Sequence, residues 1–163
     1  MNRAELRRFI LVVLPFSLLV ALAASAAVKV MEGTNRAGEP NLGVHWHAPY
    51  QVWICGERQP NFAVWESGVH THGDGIIHIH PFQDFEEGDG SRLVKFFEYG
   101  GGLLTQTEMR LPGIDVRVQN GDKCADGSPG KLHVAVNDRA LDDWTEYIPA
   151  DGDRVVITFG PDP

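Results

Sequence analysis

A chain of 163 residues with 43% hydrophobic and 22% charged residues has the composition of one ordinary folded domain, and it is too short for a TIM barrel or a two-domain enzyme. Its 14 Lys and Arg stand against 22 Asp and Glu, a net charge of −8. Such a surface repels a phosphate backbone, which excludes nucleic acid as the expected partner, and it favours cations.

Residues 1–8 form a basic flank carrying Arg3, Arg7 and Arg8. An uncharged run follows over 9–28, interrupted only by Pro15. Its 20 residues, at ~1.5 Å each, reach across a bilayer core of ~30 Å. The flank should keep the amino terminus in the cytoplasm, so the expected product is a single-pass cell-membrane protein with its domain on the extracytoplasmic side. Ala24, Ser25, Ala26 and Ala27 offer the alternative of a cleaved signal peptide and a secreted domain. The run is longer than the ~7 to 15 residues of a signal core, which favours the anchor. Either way the first 28 residues hold three of the basic and one of the acidic side chains, leaving 135 residues with 11 basic against 21 acidic groups, a net −10.

Residues 29–42 contain Gly33, Gly38 and Pro40 with little apolar content and read as a flexible tether. A His-rich domain follows over 43–163. Strands are expected at 44–47, 50–55, 69–72, 76–80, 114–119, 131–136 and 154–159, between clusters of Gly, Pro, Asn and Asp. One helix is expected from a Ser91 cap, with Leu93, Phe96 and Phe97 at helical spacing and Gly100, Gly101 and Gly102 as the stop. The fold class is therefore α+β and β-rich: antiparallel sheets in a sandwich or partly open barrel, with one short helix, after an N-terminal transmembrane helix. The stretch YQVWICGERQPNF at 50–62 with GDGIIHIHP at 73–81 is echoed by LHVAVNDRALDDW at 132–144 with GDRVVITFGP at 152–161, which suggests two similar β units.

Cys55 and Cys124 are the only cysteines. Outside the cytoplasm such a pair is expected to form a disulfide with Cα atoms within ~7 Å. No C-x-x-C spacing supports a thiolate metal site.

Six of the seven histidines form three H-x-H pairs: His45 with His47, His70 with His72, and His78 with His80. On a strand this spacing puts both imidazoles of a pair on one face, ~6.5 to 7 Å apart at Cα, where they can converge on one ion. Val69, Ile77 and Ile79 occupy the alternate positions, as in a half-buried hairpin. The turn length decides the faces. A three-residue turn of Gly73, Asp74 and Gly75 sets His70 opposite His78 and His72 opposite Ile76, with Val69 paired to Ile79 on the core side; a two-residue turn would mix histidines with isoleucines. His45 and His47 would join from a neighbouring strand. Asp74 is the nearest carboxylate and is expected to ligate or to orient a histidine. His133, alone between Leu132 and Val134, reads as a surface or hydrogen-bonded histidine.

Other histidine chemistries fit less well. The HTHGDG segment looks like the metal strand of amidohydrolases, which need a barrel this chain cannot build. The His78 strand lacks the third histidine of a histidine-triad hydrolase and runs into Pro81. A cupin would need a glutamate a few residues after an H-x-H pair; none follows His47 or His72, and Glu86 and Glu87 come late, in a polar loop. No Ser-His-Asp or Cys-His arrangement is legible.

The segments HWHAPY at 45–50, VWICGE at 52–57, GVHTHGDGIIHIHPF at 68–82 and DWTEYIPADGDRVVI at 143–157 resemble those of membrane-anchored or secreted extracytoplasmic proteins of actinobacteria and related prokaryotes. The resemblance spans roughly 43–159 and is most specific in the histidine segments. It implies the same localisation and the same histidine face, and no particular reaction. In such proteins one cysteine stands in the first strand and another in a loop rich in Gly and Asp, as Cys55 and Cys124 do here.

The function expected from the sequence is a membrane-tethered metal-binding domain using His45, His47, His70, His72, His78 and His80. Imidazole suits Cu(II) and Zn(II), and Cu(II) leads the divalent affinity order. The alternatives are a metal-dependent, cupin-like enzyme, or a scaffolding and partner-binding domain whose histidines are incidental. No catalytic residue and no protein partner at the cell surface is identified by the sequence.

Overall fold

A computed structural model describes residues 38–162. The basic flank, the expected membrane span and most of the tether lie outside the described residues. Among the described residues no helix is long and apolar enough to cross a membrane.

In chain order the elements are β1 (Trp46–Ile54), β2 (Glu57–Arg58), β3 (Val69–His70), β4 (Ile76–Ile79), α1 (Leu93–Tyr99), β5 (Leu103–Leu104), β6 (Glu108–Arg110), β7 (Arg117–Gln119), β8 (Lys131–Val136), β9 (Arg139–Leu141) and β10 (Val155–Gly160), with two 3-10 turns between β4 and α1. Seven strands make one curled open sheet in the order β3-β4-β1-β10-β8-β9, with β2 also paired to β1; β5, β6 and β7 make a smaller sheet. The β-rich α+β class is the expected one. Strands β2, β5, β6 and β9 are absent from the sequence reading, because segments of two or three residues carry too little alternation to stand out.

Period-2 alternation builds the core. Ala48, Tyr50 and Val52 of β1, Ile77 and Ile79 of β4, Leu132 and Val134 of β8, and Val155, Ile157 and Phe159 of β10 are all buried on one face. The apolar side of α1 closes over that face through Leu93, Phe96 and Phe97. Phe62 and Tyr50 fill the space between, their rings 5.0 Å apart, and Phe96 stands 5.3 Å from Tyr50. The Tyr50 hydroxyl accepts the Phe62 N–H at 2.8 Å, so this buried phenol is satisfied. Each fully buried phenylalanine contributes about 1.5–3 kcal/mol.

Four sequence expectations need correction. The strands expected at 44–47 and 50–55 are one strand, and Pro49 does not break it. The His47 and Cys55 N–H groups leave β1 on the flank where β10 lies, and β10 begins only opposite Tyr50. Pro49 is on that same alternation, so its missing N–H costs no ladder bond. The sheet is also not antiparallel throughout, because β1 and β10 pair in parallel from Tyr50↔Val155 to Ile54↔Phe159. About a hundred residues separate these strands, ample chain for a parallel crossover. Ser91 is not the helix cap; it ends a 3-10 turn and its hydroxyl donates to the Glu86 carbonyl at 2.6 Å, while Arg92 occupies the cap position. Finally, the internal echo yields two matching two-residue hairpin turns, Cys55-Gly56 and Asn137-Asp138, all four residues at positive φ. It does not extend to topology. β2 and β4 lie along the same flank of β1, whereas β9 and β10 lie on opposite flanks of β8.

Cys55 and Cys124 form the expected disulfide, with Cα atoms 5.6 Å apart. It ties the β1-β2 turn to the loop between β7 and β8.

Candidate metal centre

The hairpin of β3 and β4 has the register that turn parity predicts: Val69 pairs with Ile79 and His70 with His78. Gly73 and Gly75 both take positive φ, 80° and 81°, which closes the three-residue turn around Asp74. Val69, Ile77 and Ile79 are completely buried, so their neighbours His70, His72, His78 and His80 are turned to the opposite face. Strand β1 lies along the other side of β4, with His47 directly opposite His78. The His47 N–H donates to Asp151 Oδ1 at 2.8 Å and its carbonyl accepts the Gly152 N–H at 2.9 Å, which fixes this end of β1.

All six histidines are brought together. His45 stands 4.8 Å from His47 and from His80, and His47 stands 4.8 Å from His78, measured between ring centroids. His70 lies 4.7 Å from His72, 4.6 Å from His80 and 5.4 Å from His78. Within this face the ligand atoms of His45, His47 and His78 all lie within 4.8 Å of one another, so these three could hold a metal ion. His133 is elsewhere, on β8, with Nε2 3.0 Å from Asp162 Oδ1.

Two of the histidines are oriented by acceptors behind them. His70 Nδ1 lies 2.7 Å from the Ser67 carbonyl, which can only accept, so the proton sits on Nδ1 and Nε2 keeps its lone pair. His78 Nε2 lies 3.0 Å from Asp74 Oδ2. Asp74 is itself held by the Ile76 N–H at 3.1 Å and the Thr71 hydroxyl at 3.2 Å. Burial works against ionisation of Asp74, but the hydrogen bonds from His78 and the Ile76 N–H outweigh it and hold the carboxyl below its ordinary value. A carboxylate behind an imidazole is the usual support of a metal-bound histidine.

Burial pushes the His70 imidazole down to about 4, and the neighbouring His80, His72 and His78 push the same way against the Ser67 hydrogen bond. His80 is lowered by burial and then by His45, His78 and His72. These two rings are thus held neutral at pH 7, the form that binds metal. The depressed value has a consequence for stability. Between pH 6.5 and about 4 the unfolded chain takes up a proton at His70 that the folded chain excludes, so this contribution is complete above pH 6.5 and is lost as the pH falls toward 4. The metal-free protein should lose about 2 kcal/mol between pH 7.5 and 5 from this group. Urea unfolding at the two pH values checks it, and unchanged midpoints would refute it.

Sequence reasoning missed Asp151, Ser67 and Glu86. Ser67 acts through its backbone carbonyl, which leaves no sequence signal. Asp151 lies in an acidic Ala-Asp-Gly-Asp turn that could have been suspected of capping a strand. In the sequence Glu86 stands out only as a carboxylate too far from His80 for a cupin. Its carboxylate is buried and accepts the backbone N–H groups of Gly68, Phe82 and Gln83 at 2.6, 2.8 and 3.1 Å, clamping the start of β3 to the chain leaving β4.

Fold and site together define a β-rich domain with an imidazole cluster on the outer face of its sheet. No protein-family model, curated protein or solved structure matches the chain, so no relative lends this face a role.

Proposed function

We propose that this is a membrane-tethered extracytoplasmic domain that binds Cu(II) or Zn(II) through its paired H-x-H strands, with His45, His47, His70, His72, His78 and His80 as the ligand pool and Asp74 as the support of His78. The convergence of His45, His47 and His78 carries the reading. A set of imidazole nitrogens without thiolates or thioethers suits these two ions. The disulfide supports an oxidising compartment, and the likeness of the histidine segments to those of membrane-anchored extracytoplasmic proteins points the same way. Binding is favoured over a cupin-like enzyme because Glu86, the carboxylate such an enzyme would need, is fully engaged by backbone N–H groups.

Titration of the untagged full-length chain with Zn(II) and Cu(II) tests the proposal. His47→Ala and His78→Ala should each weaken binding at least ~100-fold, and Asp74→Asn ~10- to 100-fold. His133→Ala should leave affinity unchanged. Equal affinity in all four variants would make the histidines incidental.

A further inference from the structure

We propose that the histidine face takes two metal ions: one at His45, His47 and His78, and a second at His70 and His72 with His80 beside them. This rests on the metal-binding reading above and adds a site to it.

The separation follows from the two central histidines. His70 and His78 are register partners on adjacent strands, their rings stacked 5.4 Å apart at 13°. They are nevertheless pinned through different nitrogens. Ser67 takes the Nδ1 proton of His70, which leaves Nε2, the tip of the ring, as the donor to a metal. Asp74 takes the Nε2 proton of His78, which leaves Nδ1, near the root of the side chain. The two lone pairs therefore stand at different depths over the sheet, and each histidine serves its own ion.

The second set has the spacing of a site. His70 Nε2 and His72 Nε2 are 3.2 Å apart. Two nitrogens bound at ~2.0 to 2.1 Å to one tetrahedral ion stand about 3.3 to 3.4 Å apart, so an ion can replace the proton now shared between these rings with little movement. The His78 ring lies 4.5 Å from His72 but gives its Nε2 to Asp74; the further ligand on that side is His80, its ring edge-on to His70 at 4.6 Å. The stacking of His80 on His45 at 4.8 Å links the two sets.

The test is the metal content of the untagged full-length chain after equilibrium dialysis against Zn(II), measured by elemental analysis. The variants are His45→Gln and His72→Gln, both at exposed positions where folding is undisturbed. The wild type should hold about two ions per chain, each single variant about one, and the double variant none. Circular dichroism confirms that each variant is folded. One ion in the wild type, lost in either variant, would show a single shared centre and overturn the second site while leaving metal binding intact. One ion that survives His72→Gln unchanged in affinity would overturn it as well. No metal in the folded wild type would overturn both readings.

Discussion

Replacing Cys55 and Cys124 together by serine should lower the stability of the folded domain by about 4 kcal/mol. The bond closes a loop of 69 residues that contains β2 to α1, β5, β6 and β7, and hence the whole β3-β4 hairpin. In the chain-entropy picture the loss comes from the unfolded ensemble, which gains freedom when the loop opens. The Cys55 end sits in a tight turn at φ 50°, a conformation that costs a non-glycine residue energy and is held by the β1-β2 hairpin. Chemical denaturation of the variant against the oxidised wild type measures the loss. A difference under 1 kcal/mol would show that the unfolded chain is already compact across this loop.

Glu86→Ala should cost about 3 to 4 kcal/mol. The carboxylate is 3% exposed and serves three backbone N–H groups; truncation leaves all three without a partner, at ~1–3 kcal/mol for each that water cannot reach. Packing prevents an easy substitute. A Cβ on Gly68 would lie 2.4 Å from Glu86 Oε2 and 2.7 Å from Pro81 Cα, so chain and carboxylate fit only because residue 68 has no side chain. Glu86→Gln should fall between wild type and alanine, since one amide oxygen can still accept while the NH2 group faces donors. Urea unfolding of both variants gives the order, and an alanine variant as stable as the wild type would mean that water replaces the carboxylate.

The histidine face was legible because parity is a local property. Three H-x-H pairs interleaved with Val69, Ile77 and Ile79, and a Gly-Asp-Gly turn, are enough to fix the register of β3 on β4. The disulfide followed from the presence of only two cysteines. What the sequence hid is of two kinds. Long-range neighbours such as β1 and β10 meet through a parallel pairing that no turn encodes, and Pro49 looks like a break although its ring nitrogen faces the stretch of β1 that β10 does not reach. The supports of the site were the other kind: the Ser67 carbonyl is common to every residue type, and Asp151 lies 104 positions from the histidine whose N–H it accepts.

The Asp151-Gly152 turn has one more effect. It occupies the flank of β1 that β10 vacates below Tyr50, so at the level of His47 the sheet is three strands wide and its β1 side is already hydrogen-bonded. On the far side, β3 is only two residues long. Neither margin offers the row of free amides on which another chain could dock as an added strand. At the level of the histidine face the sheet therefore lacks the long free edge that strand addition needs.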